Sequence, residues 1–85
     1  MTIFTIDRAA IATGIPVSEL VGPSRTRHIC WTRFAIMEAM RERGMSTPAI
    51  GRLFRRHHTS IVSGLRQAEK LRGNPAFENI RSAIA

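Results

Sequence analysis

Apolar residues in this chain come in short groups at helical spacing, and Gly and Pro punctuate them regularly. The marks are Gly14, Pro16, Gly22-Pro23, Gly44, Pro48, Gly73 and Pro75. They divide the chain into short helical pieces. Strand alternation is nearly absent; only "TIFTI" at Thr2–Ile6 alternates, and briefly. The pattern predicts a first helix over Ile6–Thr13, with Thr5 as its N-cap, Asp7 in its first turn and Gly14 at its exit. A single turn, "VSEL", follows with Ser18 as cap, and "GPSRTR" is then an exposed basic loop. The longest helix is predicted from Arg27 or His28 to Arg43, ended by Gly44. Its apolar residues Ile29, Cys30, Phe34, Ile36, Met37 and Met40 cover more than half its circumference, which marks a central helix packed on several sides.

Two helices and a tail complete the pattern. "STPAIGRLF" reads as a short helix capped by Ser46 or Thr47, with Pro48 in its first turn. "HHTSIVSGLRQAEKLRG" reads as a longer one, with a stripe of Ile61, Val62, Leu65, Ala68 and Leu71 on one face and Gly73 as its stop. Asn74 and Pro75 start a last helix that buries Phe77, Ile80 and Ile84. The predicted fold is all-α: one domain over residues 1–85, built from five or six short helices.

Size and composition narrow the function. A chain of 85 residues has a small core and little room for a deep substrate cavity. The formal net charge is +7, and Lys70 is the only lysine among the 13 basic residues. Arginine offers planar, bidentate donors suited to phosphate and to guanine edges. The balance points to a polyanion, with DNA, RNA, a ribosome or an acidic protein as its possible forms. Cys30 is the single cysteine, so no disulfide closes within the chain. One Cys and three His do not fall at zinc-ligand spacing. No apolar run approaches the roughly 20 residues that span a bilayer. The start, "MTIFTIDRAA", lacks the basic and apolar order of a secretory signal. A reduced, cytoplasmic, nucleoid-associated protein is the expectation, with no cofactor and no metal.

The chemistry concentrates where the short helix meets the longer one, at "RRHHTS". No phosphate-binding glycine loop precedes Lys70, and no acid pair or Ser/His/Asp grouping stands out. The adjacent His57 and His58 raise acid–base catalysis, but a His pair beside arginines at a helix start is more often a binding or capping feature. The expectation is that the chain is not an enzyme. A short helix, a tight turn and an amphipathic helix make a helix-turn-helix, whose second helix starts in the major groove. Backbone N–H groups and the positive dipole end there favour phosphate. Arg55 and Arg56 precede that helix, placed to grip the backbone. His57, His58, Thr59 and Ser60 lie in its first turn, within reach of base edges. The plainer alternative is that Thr59 or Ser60 merely caps the helix.

These residues also resemble a family. "SELVGPSRTRHICWTRFAIMEAM" followed by "PAIGRLFRRHHTSI" is similar to the C-terminal DNA-binding domain of the bacterial replication initiator DnaA. That family carries a hydrophobic-Gly-x-x-Phe-Gly-Gly-Arg-Asp-His-Thr-Thr-Val signature. Ile50, Gly51, Phe54, Arg56, His58, Thr59, Ser60 and Ile61 follow it, and the similarity runs from about Ile6 to Leu71. The resemblance implies double-stranded DNA as partner and roles by position. Arg25 matches the basic-loop arginine that enters the minor groove, where negative potential is strong. Arg27 lies in the same basic segment. Arg33 matches a backbone-contacting arginine; the residues alone equally suit an arginine snorkelling beside Ile29, Ile36 and Met40. Pro48 and Arg56 match phosphate contacts, and His58, Thr59 and Ser60 match the base-reading positions.

The departures carry their own expectations. One glycine of the Gly-Gly pair is missing and Arg55 stands in place of the other, so the turn is shorter and more basic. His57 stands where the family has Asp; an Asp accepts from a cytosine amino group and a protonated His does not. The preferred site should therefore differ from the usual initiator box. The initiator's ATPase module is absent from the chain, and the Met1 start favours a complete small protein over an excised fragment. The expected role is regulation of replication initiation or transcription at initiator-type sites, in a bacterium or phage. Two rivals differ in class. One is an adaptor that binds the initiator or another replication protein through an apolar patch including Trp31 and Phe34; the other is a non-specific nucleic-acid binder. The pattern leaves the oligomeric state open, with no coiled-coil heptads.

Overall fold

The computed structural model describes residues 5–84. The alternation at Thr2–Ile6 falls mostly outside them. Among the described residues there are six helices and no strand: α1 Ile6–Thr13, α2 Val17–Val21, α3 Arg27–Glu42, α4 Thr47–Phe54, α5 His58–Leu71 and α6 Pro75–Ile84.

Local chemistry explains most of the boundaries. The Thr5 side chain accepts from the Arg8 N–H, and Gly14 leaves α1 at φ 73°. Ser46 accepts from the Ala49 N–H at the start of α4, with Pro48 in its first turn. At the start of α6, the Asn74 carboxamide oxygen accepts from the N–H groups of Ala76 and Phe77. The expectation that Ser18 caps α2 is not met. Pro16 holds that position and makes no side-chain hydrogen bond. Proline's fixed φ sets the chain direction there without a capping oxygen.

α3 is the central element and packs against α2, α4, α5 and α6. Its buried side is Thr32, Arg33, Ala35, Ile36, Met37, Glu38 and Met40. Ile29, Cys30 and Phe34, expected to share in the packing, are only partly covered. Phe54, Phe77, Leu20, Ile50 and Ile61 of the other helices are fully buried around it. On α5, Ile61 and Ala68 lie in the core, while Val62, Leu65 and Leu71 are half-buried. Gly64 is the residue that the stripe omitted. A Cβ there would stand 2.6 Å from the Met37 sulfur and 3.2 Å from the Phe34 ring, so a bare backbone lets α5 approach α3.

α6 is held to the bundle by apolar and ionic contacts. Phe77 meets Trp31 edge to face at 6.3 Å between ring centres. The buried Glu38 carboxylate accepts from Arg72 on α5's exit at 3.0 Å and pairs with Arg81 of α6 at 2.9 Å. Two guanidiniums thus meet one carboxylate in mid-helix and tie α5's exit and α6 to α3.

Candidate nucleic-acid interface

The turn between α4 and α5 is built from two glycine-like requirements, and only one is met by glycine. Gly51 sits where the returning chain crosses α4. The Arg56 N–H donates to the Gly51 carbonyl at 2.8 Å, a bond that closes the helix end. A Cβ on Gly51 would stand 2.6 Å from the Arg56 carbonyl oxygen. The second requirement falls on Arg55, which leaves α4 in the left-handed region at φ 56°, ψ 41°. It is the only residue with positive φ, apart from glycines, among those described. An L-residue with a Cβ pays about 1–2 kcal/mol in that conformation. The cost places an exposed guanidinium at the mouth of the turn. Arg55→Gly is therefore expected to raise unfolding free energy by about 0.5–1 kcal/mol, after glycine's extra chain entropy is subtracted. Chemical denaturation measures it, and a loss of stability would show that the backbone here carries no strain.

α5 begins one residue later than expected for the His pair. His57 is its N-cap: Nδ1 accepts from the Thr59 N–H at 3.3 Å and lies 2.9 Å from Thr59 Oγ1. Capping thus falls to His57, not to Thr59 or Ser60. A ring nitrogen does here what an Asp oxygen does at an ordinary cap, without the negative charge. The His57 and His58 rings face each other at 4.3 Å. His57, His58, Thr59 and Ser60 are all exposed. Thr59, Ser63 and Gln67 recur every four residues and line one groove with Ser60, Arg56, Cys30 and Phe34. Ser63 and Gln67 were not singled out in the sequence. Their signal was the polar i, i+4, i+8 row opposite the apolar stripe.

The basic loop stands beside this turn. Ser24 Oγ donates to Thr26 Oγ1 at 3.2 Å and accepts from the Thr26 N–H at 3.4 Å, leaving Arg25 exposed between them. Arg56 joins the two segments: it donates to the Gly22 carbonyl at 2.7 Å and to the Phe54 carbonyl at 3.2 Å. The remaining residues fall elsewhere. Pro48 is exposed in the first turn of α4, two helical turns before Arg55. Arg27 lies over the Trp31 ring at 5.6 Å, beside a groove between α1, α3 and α6. Arg33 is buried, with its guanidinium turned toward backbone carbonyls at the end of α2. Burial holds its pKa below the ordinary arginine value, and the nearby Arg56 charge lowers it further.

A helix-turn-helix with an arginine loop beside its second helix is the arrangement of a DNA-docking domain. The family model described as bacterial dnaA protein helix-turn-helix matches residues 6–68. The chain belongs to this family. No curated protein and no solved structure gives a significant match. The dnaA-type helix-turn-helix is a double-stranded-DNA-binding module, and the match runs from α1 through most of α5. α6 lies beyond it. None of the helices among the described residues is long and apolar enough to cross a membrane.

Proposed function

We propose that this domain reads double-stranded DNA at initiator-box-like sites and regulates replication initiation or transcription there, without ATPase chemistry of its own. One observation carries the reading. An exposed row of His58, Thr59 and Ser60 opens α5, across the turn from the exposed Arg55 and beside the loop that presents Arg25. Arg25 and Arg55 would grip the DNA, the first within the minor groove and the second on phosphate. His58, Thr59 and Ser60 would read base edges. Thr59 can offer its methyl to thymine and its hydroxyl oxygen to an amino group.

Fluorescence anisotropy at about 0.15 M salt, close to physiological ionic strength, tests this. The protein is titrated with a duplex carrying an initiator box and with a scrambled duplex. The expected result is a clear preference for the box or, given His57, for a related site found by selection from random DNA. Thr59→Ala should reduce that preference by about 1–3 kcal/mol while leaving binding to scrambled DNA nearly unchanged. Arg55→Gly should weaken both complexes alike and lower the salt slope by about 0.9. Equal binding to every duplex would reduce the reading to non-specific association. Absence of binding would favour the adaptor.

A further inference from the structure

Arg33 is a cation in the core that no carboxylate neutralises directly. Its Nε donates to the Leu20 carbonyl at 2.7 Å. One terminal nitrogen donates to the Ser24 carbonyl at 2.6 Å and lies 3.9 Å from the Cys30 sulfur. The other donates to the carbonyls of Glu19 at 2.8 Å and Gly22 at 2.7 Å. A guanidinium has five N–H donors, and all five have a partner here. Besides the Cys30 sulfur, the acceptors are carbonyls at the end of α2 and at the start of the basic loop. The residue is 5% exposed and touches the groove beside Thr59 only with that small remainder, so it has no unpartnered donor to give to a phosphate.

The Gly22 carbonyl also accepts from Arg56 at 2.7 Å. One oxygen therefore ties α3 to the loop and the loop to the turn before α5. Gly22 itself has no room for a side chain, since a Cβ would stand 2.6 Å from the Ser18 carbonyl oxygen.

We infer that Arg33 is a positioning residue. Through the shared Gly22 carbonyl it fixes where Arg25 stands relative to Thr59, so that the minor-groove and major-groove elements meet DNA at a set spacing. The inference rests on the DNA-binding reading above, and it assigns Arg33 no contact with DNA. Lysine keeps the charge but has three donors on a flexible stem and cannot hold five acceptors in place.

The test compares Arg33→Lys and Arg33→Met with wild type on the preferred duplex across a salt series, after circular dichroism has confirmed folding. Both variants are expected to lose tenfold or more in affinity, with salt slopes close to wild type. A phosphate contact behaves otherwise: Lys would retain most of the affinity and Met would lower the slope by about 0.9. That pattern would overturn the inference. A measurement on wild type alone stands in if the variants do not fold. The Arg33 Nε–H signal in nitrogen-15 spectra should be slow to exchange in the free protein and unmoved by DNA. A shift on DNA addition as large as that of Arg25 would equally overturn it. If wild type itself binds no duplex, the DNA-binding reading has failed, and that outcome is visible before any variant is made.

Discussion

Phe54→Ala is expected to lower unfolding free energy by about 3–5 kcal/mol, the usual loss when a fully buried aromatic ring is truncated. Phe54 is 0% exposed and is the last residue of α4. Its ring sits in the core, while its carbonyl accepts from Arg56. A domain of this size has a total stability of roughly 4–13 kcal/mol. The loss is therefore a large fraction of the total, and about all of it if the domain lies near the lower end of that range. Urea titration gives the value directly. A loss below about 1.5 kcal/mol would mean that neighbouring side chains collapse into the cavity and that α4 is not anchored by this ring.

Gly51→Ala is expected to cost about 1 kcal/mol of stability, and to damage binding more than folding. Alanine improves helix propensity by about 1 kcal/mol. Against this stands a Cβ at 2.6 Å from the Arg56 carbonyl oxygen, a contact with backbone and not with the tip of a flexible side chain. Overpacking of that kind costs about 1–3 kcal/mol or more, and here relief requires the turn itself to shift. Arg55, Arg56 and the His57 cap would shift with it. Preference for the best DNA site should fall at least tenfold, about 1.4 kcal/mol, even at temperatures where the variant is folded. Unchanged stability together with unchanged preference would show that the turn accommodates the methyl group and is not set by this approach.

Both residues were visible in the sequence as members of one motif, and the motif was legible because its requirements are local. Thr5, Ser46, Gly14 and Gly73 act within a few residues of their own position, so the helices they bound could be read from the chain. α1 matches its expected span of Ile6–Thr13 to the residue. What escaped were effects of residues brought together from a distance. Arg33 looked like a surface arginine because its partners lie 9 to 14 residues earlier in the chain. Ser18 looked like a cap because a hydroxyl is a good one, but Pro16 had already started the helix. Gly64 appeared as a gap in an apolar stripe and is in fact where α5's bare backbone takes the Met37 and Phe34 side chains of α3. His57 was expected in the first turn of α5 and instead caps it, because a ring nitrogen can imitate a carboxylate oxygen when the backbone places it correctly.

The ion pairs around Glu38 have a kinetic consequence. Glu38, Glu42, Glu69 and Glu78 share a flank of the bundle with Arg41, Arg43, Arg72 and Arg81. Four acids and four arginines there cancel, so the whole net charge of +7 belongs to the rest of the chain. The molecule is thus electrically lopsided. In the field of a polyanion it experiences a torque as well as an attraction, and the torque turns the neutral flank away. The encounter begins with the arginine-bearing side forward, which shortens the orientational search that ordinarily limits association.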